Sequence, residues 1–201
     1  MPLEGGLLCS WCALRVYPHG RSRVSVPTAV GASTPVRSAV LHDGVPREII
    51  TRLKFGGEKH LARTAAWLIS TRLGDWRDDV DLLVPMPISA RRRRERGFNQ
   101  SLEIARWLSR DWKVPVARLL GRKHRPPQTG LGRKDRLRNV AGCYYPRKRP
   151  GGEGSTVCLV DDVVTTGSSI EAASEALGEV DMERVRAVTV TYRGFSGVSM
   201  I

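Results

Sequence analysis

Apolar positions 61, 65, 68, 69 and 73 fall on one face of a helix between Glu58 and Leu73, and Gly56-Gly57 supplies the turn before it. Asp81-Leu82-Leu83-Val84 is a short apolar run that meets Pro85-Met86-Pro87, where missing N–H groups stop a strand; a loop is expected to follow. From Asn99 to Arg110, Leu102, Ala105 and Leu108 mark a second amphipathic helix, and Val114–Leu120 can return as a strand, completing a βαβ unit. Thr156–Val164 is an almost unbroken apolar run carrying two aspartates, the pattern of a parallel strand buried on both faces that ends at the acidic pair. Ser168–Gly178 predicts a short helix capped by its glycine, and Arg184–Tyr192 a further β-branched strand. Strands that alternate with helices give an α/β fold, a parallel twisted sheet with flanking helices and right-handed crossovers.

Between these elements, His124–Arg138 is polar and basic with Pro126-Pro127 and two glycines, and predicts a long mobile loop; Gly151–Ser155 is a second loop. Gly20–Thr34 is rich in Ser, Pro, Gly and Val without periodicity and reads as a linker. The chain therefore divides into an N-terminal extension with linker (1–34), a main domain (35–195) and a short tail (196–201), with no internal repeat.

Composition changes this picture mainly through charge. The chain of 201 residues has a formal net charge of +13, and the excess lies in one block: Arg91 to Arg149 holds 19 Lys and Arg against four Asp and Glu. Such a field attracts polyanions, either nucleic acid or a pyrophosphate-bearing substrate, unless it is only a solvated basic surface. Its densest stretch, Arg91, Arg92, Arg93 and Arg94, is the candidate DNA contact. No apolar run approaches the roughly 20 residues needed to span a bilayer, and Met1–Leu8 lacks the features of a signal peptide, so the expectation is a cytoplasmic protein with no membrane insertion. Four cysteines make no disulfide framework, which fits a reducing compartment.

The acidic pair has a particular setting. Ligands of open α/β sheets sit beyond the carboxyl ends of strands, where Asp161-Asp162 falls. The loop after it, Val164, Thr165, Thr166, Gly167, Ser168 and Ser169, runs into a helix N-terminus, whose free N–H groups hold phosphate. Gly167 allows close backbone approach, and the small hydroxyls add donors. Carboxylates would repel that phosphate, so their partners should be hydroxyls, such as a ribose diol, or a metal. Taken alone, the two aspartates could merely order the loop. The G-x-x-x-x-G-K-[ST] and G-x-G-x-x-G phosphate motifs are absent, against an NTPase or a dinucleotide dehydrogenase.

In sequence, apolar strand, double aspartate, Thr-Thr-Gly and helix resemble the phosphoribosyl-pyrophosphate (PRPP) motif of type I phosphoribosyltransferases, with Cys158 in place of the usual aliphatic and Ser169 in place of the usual threonine. The further series Leu53-Lys54-Phe55, Val84-Pro85-Met86-Pro87, Arg96-Gly97-Phe98-Asn99-Gln100, Gln128-Thr129-Gly130-Leu131 and Arg136-Leu137-Arg138-Asn139-Val140 resembles the ComF family over about Val40–Tyr192. That resemblance implies a type I phosphoribosyltransferase-like fold and a link to competence, the handling of incoming single-stranded DNA in natural transformation. By the same resemblance, Asp161, Asp162 and Val164–Ser169 surround the ribose 5-phosphate. Pro85, Met86 and Pro87 face the pyrophosphate with Lys54 and Arg96 as its cations. Asp161, Asp162 and Arg96 are the candidate catalytic residues. Gln128, Thr129, Arg136, Arg138 and Asn139 belong to a mobile loop that closes over the site. Neutralising a departing pyrophosphate calls for Mg²⁺ together with Lys or Arg. Asn99 and Gln100 read equally well as plain helix caps.

The family often carries a zinc module, and here the pattern departs: Cys9 and Cys12 supply two ligands of four, with His19 near enough for a third. The finger is incomplete, either through loss or because the sequence starts too far downstream, and zinc is not the expectation. Three functions remain open. The first is a PRPP-binding protein that handles single-stranded DNA beside a competence helicase or other DNA-uptake proteins. The second is a phosphoribosyltransferase acting on a small nitrogenous acceptor, with no DNA role. The third is a regulatory module that keeps the site without catalysis.

Overall fold

The computed structural model describes residues 8–16, 24–25, 34–123, 142–147, 155–179, 182 and 184–194. In chain order the elements are α1 (Ser10–Val16), β1 (Val24–Ser25), β2 (Val36–Leu41), α2 (Gly44–Phe55) and α3 (Leu61–Leu73), then β3 (Leu82–Pro85), α4 (Ala90–Arg96) and α5 (Gln100–Trp112). There follow β4 (Leu120–Arg122), β5 (Tyr144–Pro146), β6 (Thr156–Val164), α6 (Ser168–Gly178) and β7 (Arg184–Tyr192). The main sheet has the order β1-β2-β7-β6-β3, parallel except for antiparallel β1 at its edge, while β4 and β5 form a separate antiparallel pair.

Alternation along the two central strands separates two apolar layers, as the continuous run of β6 requires. Cys158 and Val160 of β6 and Val188 and Val190 of β7 pack with Ile50, Leu53, Leu68, Ile69 and Leu108 from α2, α3 and α5. Val157, Leu159 and Ala187 pack with Ile170, Ala173 and Leu177 of α6 and with Leu120 and Tyr144 of the small β4–β5 pair. Ile50, Leu53, Leu68, Ile69 and Leu159 are fully buried, each such side chain contributing about 1.5–3 kcal/mol by leaving water. Cys158 is one of these core residues, and burial pushes its thiol up to about 12, far from the thiolate a metal would need.

The structure departs from the sequence expectations in five places. α2 is an additional helix; Pro46 occupies its first turn, where an N–H has no partner to lose, and Pro46, Ile49, Ile50 and Leu53 are its buried side. The stretch after Pro87 is interrupted by α4, started by the Ser89 hydroxyl accepting from Arg92 N at 3.3 Å and ended by Gly97 at φ 77°. The expected strand at Val114–Leu120 shrinks to one bridge, Val116 beside Leu83, because Pro115 has no N–H and Lys113 already turns the chain at φ 61°. Leu120 belongs instead to β4. β6 continues past the acidic pair to Val164, and Gly178 is the last residue of α6, whose cap is Glu179 in right-handed conformation.

Candidate functional site

Parallel pairing aligns the carboxyl ends of the strands. Pro85 of β3 lies beside Val160, and Met86 N donates to Val160 O at 3.0 Å, so the segment Pro85-Met86-Pro87 leaves the sheet next to Asp161. Asp161 stands opposite Thr189, and Val164 opposite Tyr192, at the end of β7. Thr165, Thr166 and Gly167 then turn into α6. Gly167 caps that helix at φ 80°, a left-handed conformation that a side chain would strain, and space for a Cβ is open there, so glycine is needed for the turn itself. Thr166 and Ser168 share a hydroxyl hydrogen bond of 2.7 Å across the turn. Ser169, one residue further, makes a side-chain hydrogen bond with Tyr144, whose buried phenol is raised above its ordinary pKa by loss of water.

Both aspartates are held in place. Asp161 Oδ1 accepts from the Ser101 hydroxyl at 2.8 Å and from Asp162 N at 2.9 Å. Desolvation and the adjacent Asp162 charge push the Asp161 carboxyl up to about 7, against the pull of Lys54, Ser101 and the Asp162 N–H. Asp162, only 3% exposed, turns Oδ1 to Val163 N at 2.9 Å and Oδ2 to Lys54 Nζ at 2.7 Å, an ion pair without good hydrogen-bond alignment. Lys54 reaches it from the last turn of α2, so the extra helix is what delivers this cation.

Arg96 lies in the field of both carboxylates without an ion pair to either among the described residues. Burial and Arg92 lower its pKa, while Asp162, Glu95 and Asp161 counter them. Its Nη1 donates to Gln100 Oε1 at 3.1 Å, and its guanidinium sits 5.2 Å from the ring centre of Phe55, itself 75% exposed. Asn99 is a helix cap, its Oδ1 accepting from Ser101 N at 3.1 Å, and also a strut, its Nδ2 donating to Met86 O at 3.0 Å. That one side chain ties the Pro85–Pro87 segment to the helix carrying Ser101.

Arg91, Arg92, Arg93 and Arg94 lie exposed on α4, with Arg91 paired to Glu95 at 2.7 Å. Cys9 and Cys12 lie at the start of α1, whose Val16 joins the core. Cys12 N donates to Cys9 Sγ at 3.5 Å, and this bond lowers the Cys9 pKa while the thiol contact raises that of Cys12. No group of three or more His, Cys, Asp or Glu side chains that could hold a metal gathers among the described residues. Gln128, Thr129, Arg136, Arg138, Asn139 and His19 lie outside the described residues.

Sequence reasoning brings together Asp161, Asp162, Lys54, Arg96 and the Thr165–Ser169 turn, and the structure does the same. Sequence reasoning gives no role at this site to Ser101, Tyr144, Phe55, Thr191 or His42. Thr191 Oγ1 donates to Asp162 O at 3.2 Å, and His42 Nδ1 lies 2.9 Å from the same hydroxyl. The only forewarning of His42 was its place just after an apolar run, where a parallel strand would end.

A family model described as phosphoribosyl transferase domain matches residues 98–197. Competence protein ComFC of Bacillus subtilis is 30% identical over 156 residues, covering 77% of this chain and 61% of its own length. Competence protein F of Haemophilus influenzae is 30% identical over 153 residues, covering 69% and 64%. DNA utilization protein YhgH of Escherichia coli strain K12 is 29% identical over 141 residues, covering 64% and 59%. The chain thus spans about three fifths of the length of these curated relatives. Among solved structures, adenine phosphoribosyltransferase of Saccharomyces cerevisiae superposes with a TM-score of 0.42 at 17% identity, over 68% of this chain and 69% of that one. A purine phosphoribosyltransferase of Pyrococcus horikoshii gives 0.41 at 14% identity, over 69% and 84%. The competence-protein matches and the domain match bear out the resemblance to the ComF family and the phosphoribosyltransferase-like reading of the fold.

Proposed function

We propose that this chain, a ComF-family relative with a phosphoribosyltransferase-like fold, binds PRPP at the carboxyl edge of its sheet and serves the cytoplasmic handling of single-stranded DNA in natural transformation. One observation carries the first half: a left-handed glycine turn entering α6 stands directly after two anchored carboxylates, with a lysine already drawn to one of them. The amides of Gly167–Ser169 suit the 5-phosphate, and the helix dipole favours its charge. Asp161 suits the ribose diol, whose hydroxyls donate to ionised carboxylates, with Asp162 behind it holding Lys54. Pro85–Pro87, with Lys54 and Arg96 near, suits the pyrophosphate.

Two carboxylates are too few to cage Mg²⁺ alone, and Asp162 is committed to Lys54. Asp161 does fit an ion that arrives on the substrate, since Mg²⁺ is commonly held by one or two carboxylates plus phosphate oxygens and water. Bound so, the ion would neutralise pyrophosphate charge. The protein's own part is to orient the diol through Ser101-fixed Asp161, keep Asp162 buried beside Lys54, and present Arg96 at the rim.

The DNA half is supported by the exposed arginines of α4, by the concentration of charge between Arg91 and Arg149, and by the names of the relatives. A second reading, transfer of the phosphoribosyl group to a small nitrogenous acceptor, is favoured by the presence of two carboxylates and two cations at one strand edge. Addition of PRPP with Mg²⁺ is expected to raise the melting temperature, as any ligand selective for the folded state does. An unchanged melting temperature at millimolar PRPP would remove the reading.

A further inference from the structure

PRPP bound at the strand edge leaves one flank of that edge without a role, and a role for the flank rests on PRPP binding there. β3 and the Pro85–Pro87 segment lie on one side of β6; on the other lie β7 and then β2, and the chain leaves β2 at His42. Displacement at a sugar anomeric carbon brings the nucleophile in opposite the leaving group. With pyrophosphate over the β3 flank, the nucleophile approaches from the β7–β2 flank.

His42 is built into that flank. Its backbone N donates to Tyr192 O at 2.8 Å, and its Nδ1 lies 2.9 Å from Thr191 Oγ1. Thr191 has a single hydroxyl proton; given to Asp162 O at 3.2 Å, it leaves Thr191 Oγ1 to accept from His42 Nδ1–H, the arrangement on which the inference is built. The neutral ring then carries its lone pair on Nε2, for which no hydrogen bond is found among the described residues. Its charged surroundings agree. Burial first, then Lys54 and Arg47 of α2 and Arg193 after β7, lower its pKa, and Asp162 of β6 opposes them, so the ring is held neutral.

We propose that His42 is the acceptor-side residue of the site, its Nε2 receiving the ring N–H of a planar nitrogen heterocycle. In transfer, a ring nitrogen with a free in-plane lone pair bonds to C1′ of the ribose, the C1′–O bond electrons leave with pyrophosphate, and the proton on a second ring nitrogen passes to Nε2, from which solvent takes it as product departs. The cations Arg47 and Arg193 favour a heterocycle bearing an oxo or carboxylate oxygen.

The test uses the full chain with Mg²⁺ and PRPP, and hypoxanthine, uracil and orotate as probes. Nitrogen NMR of labelled histidine should show His42 protonated on Nδ1 and bare on Nε2 at neutral pH, with Nε2 shifting when at least one probe joins PRPP. His42→Leu should weaken that probe about tenfold, equivalent to about 1.4 kcal/mol, while PRPP affinity stays within about twofold. His42→Gln, which keeps an acceptor but takes no proton, should retain probe binding and cut pyrophosphate release about 100-fold, and Thr191→Val should blur the tautomer preference. An Nε2–H tautomer, no probe acting on Nε2, or unaltered probe binding in His42→Leu overturns the proposal while PRPP binding stands. Failure of PRPP itself to bind wild-type protein removes the parent reading as well. Wild-type protein that binds a probe but releases no pyrophosphate overturns the proton-transfer step.

Discussion

Two cationic regions of this molecule are built in opposite ways. At the strand edge, Lys54 is 20% exposed and 2.7 Å from a buried aspartate, and Arg96 is held by Gln100 and stacked near Phe55. On α4, Arg91–Arg94 stand in solvent with a single ion pair, Arg91 to Glu95, among the described residues. Fixed, partly desolvated charges act strongly over a short range and demand one geometry, which suits a small ligand of defined shape. Solvated, rotatable charges act through their sum and are screened by salt, which suits a polymer of phosphates. One chain thus carries a fixed, partly desolvated pair of cations and a solvated row of them.

Perturbing the first region should have the larger effect. Asp161→Ala/Asp162→Ala should abolish the PRPP-induced rise in melting temperature, a loss of about 2.7 kcal/mol at a ligand concentration of 100 times Kd. A retained shift would place the ligand elsewhere. Lys54→Met leaves Asp162 buried without its cation and should destabilise the fold by about 3 kcal/mol, measured by urea unfolding; Lys54→Met/Asp162→Asn should recover part of that. Equal stability of Lys54→Met and the wild type would mean that the pair contributes little.

The pH dependence sharpens the contrast. The folded pKa of Asp161, about 7, lies above an unfolded value of about 3.9. The folded state therefore binds the extra proton between those values, and its stability falls as pH rises across that window. Asp161→Asn should flatten the fall, and PRPP affinity should rise through pH 7 only in the wild type, where ionised Asp161 becomes available to the diol. Coincident pH profiles for the two proteins would assign the dependence to another group.

The α4 region should respond in the reverse manner. Replacing Arg91, Arg92, Arg93 and Arg94 with serine should leave stability within about 0.5 kcal/mol. It should reduce the salt slope of single-stranded DNA binding by about 0.7 for each phosphate no longer neutralised, read by fluorescence anisotropy across a salt series. An unchanged slope would locate the DNA contact elsewhere in the basic block. PRPP binding by the same variant should be unaffected, which keeps the two regions independent.

Much of this was legible in the sequence because the relevant signals are local. Thr156–Val164 reads as a doubly buried strand, and the Asp161–Ser169 run gives the acidic pair, the glycine turn and the helix start in order. Helix α2 is legible in principle through Pro46, Ile49, Ile50 and Leu53, but a sequence also compatible with a loop needs the sheet beneath it before that face counts. The Val114–Leu120 strand fails because Pro115 withholds one ladder donor, so a run apolar enough for a strand makes one bridge only. Ser101 and His42 were out of reach for a different reason. Their partners, Asp161 and Thr191, are 60 and 149 residues away, and only the folded sheet brings them together.

The most direct measurement is a crystal structure of the protein with PRPP and Mg²⁺. It should show the 5-phosphate on the amides of Gly167–Ser169, the ribose hydroxyls on Asp161 with Asp162 holding Lys54 behind it, and the pyrophosphate beside Pro85–Pro87. PRPP absent from that edge at saturating concentration, or bound with its ribose away from both aspartates, would contradict the account.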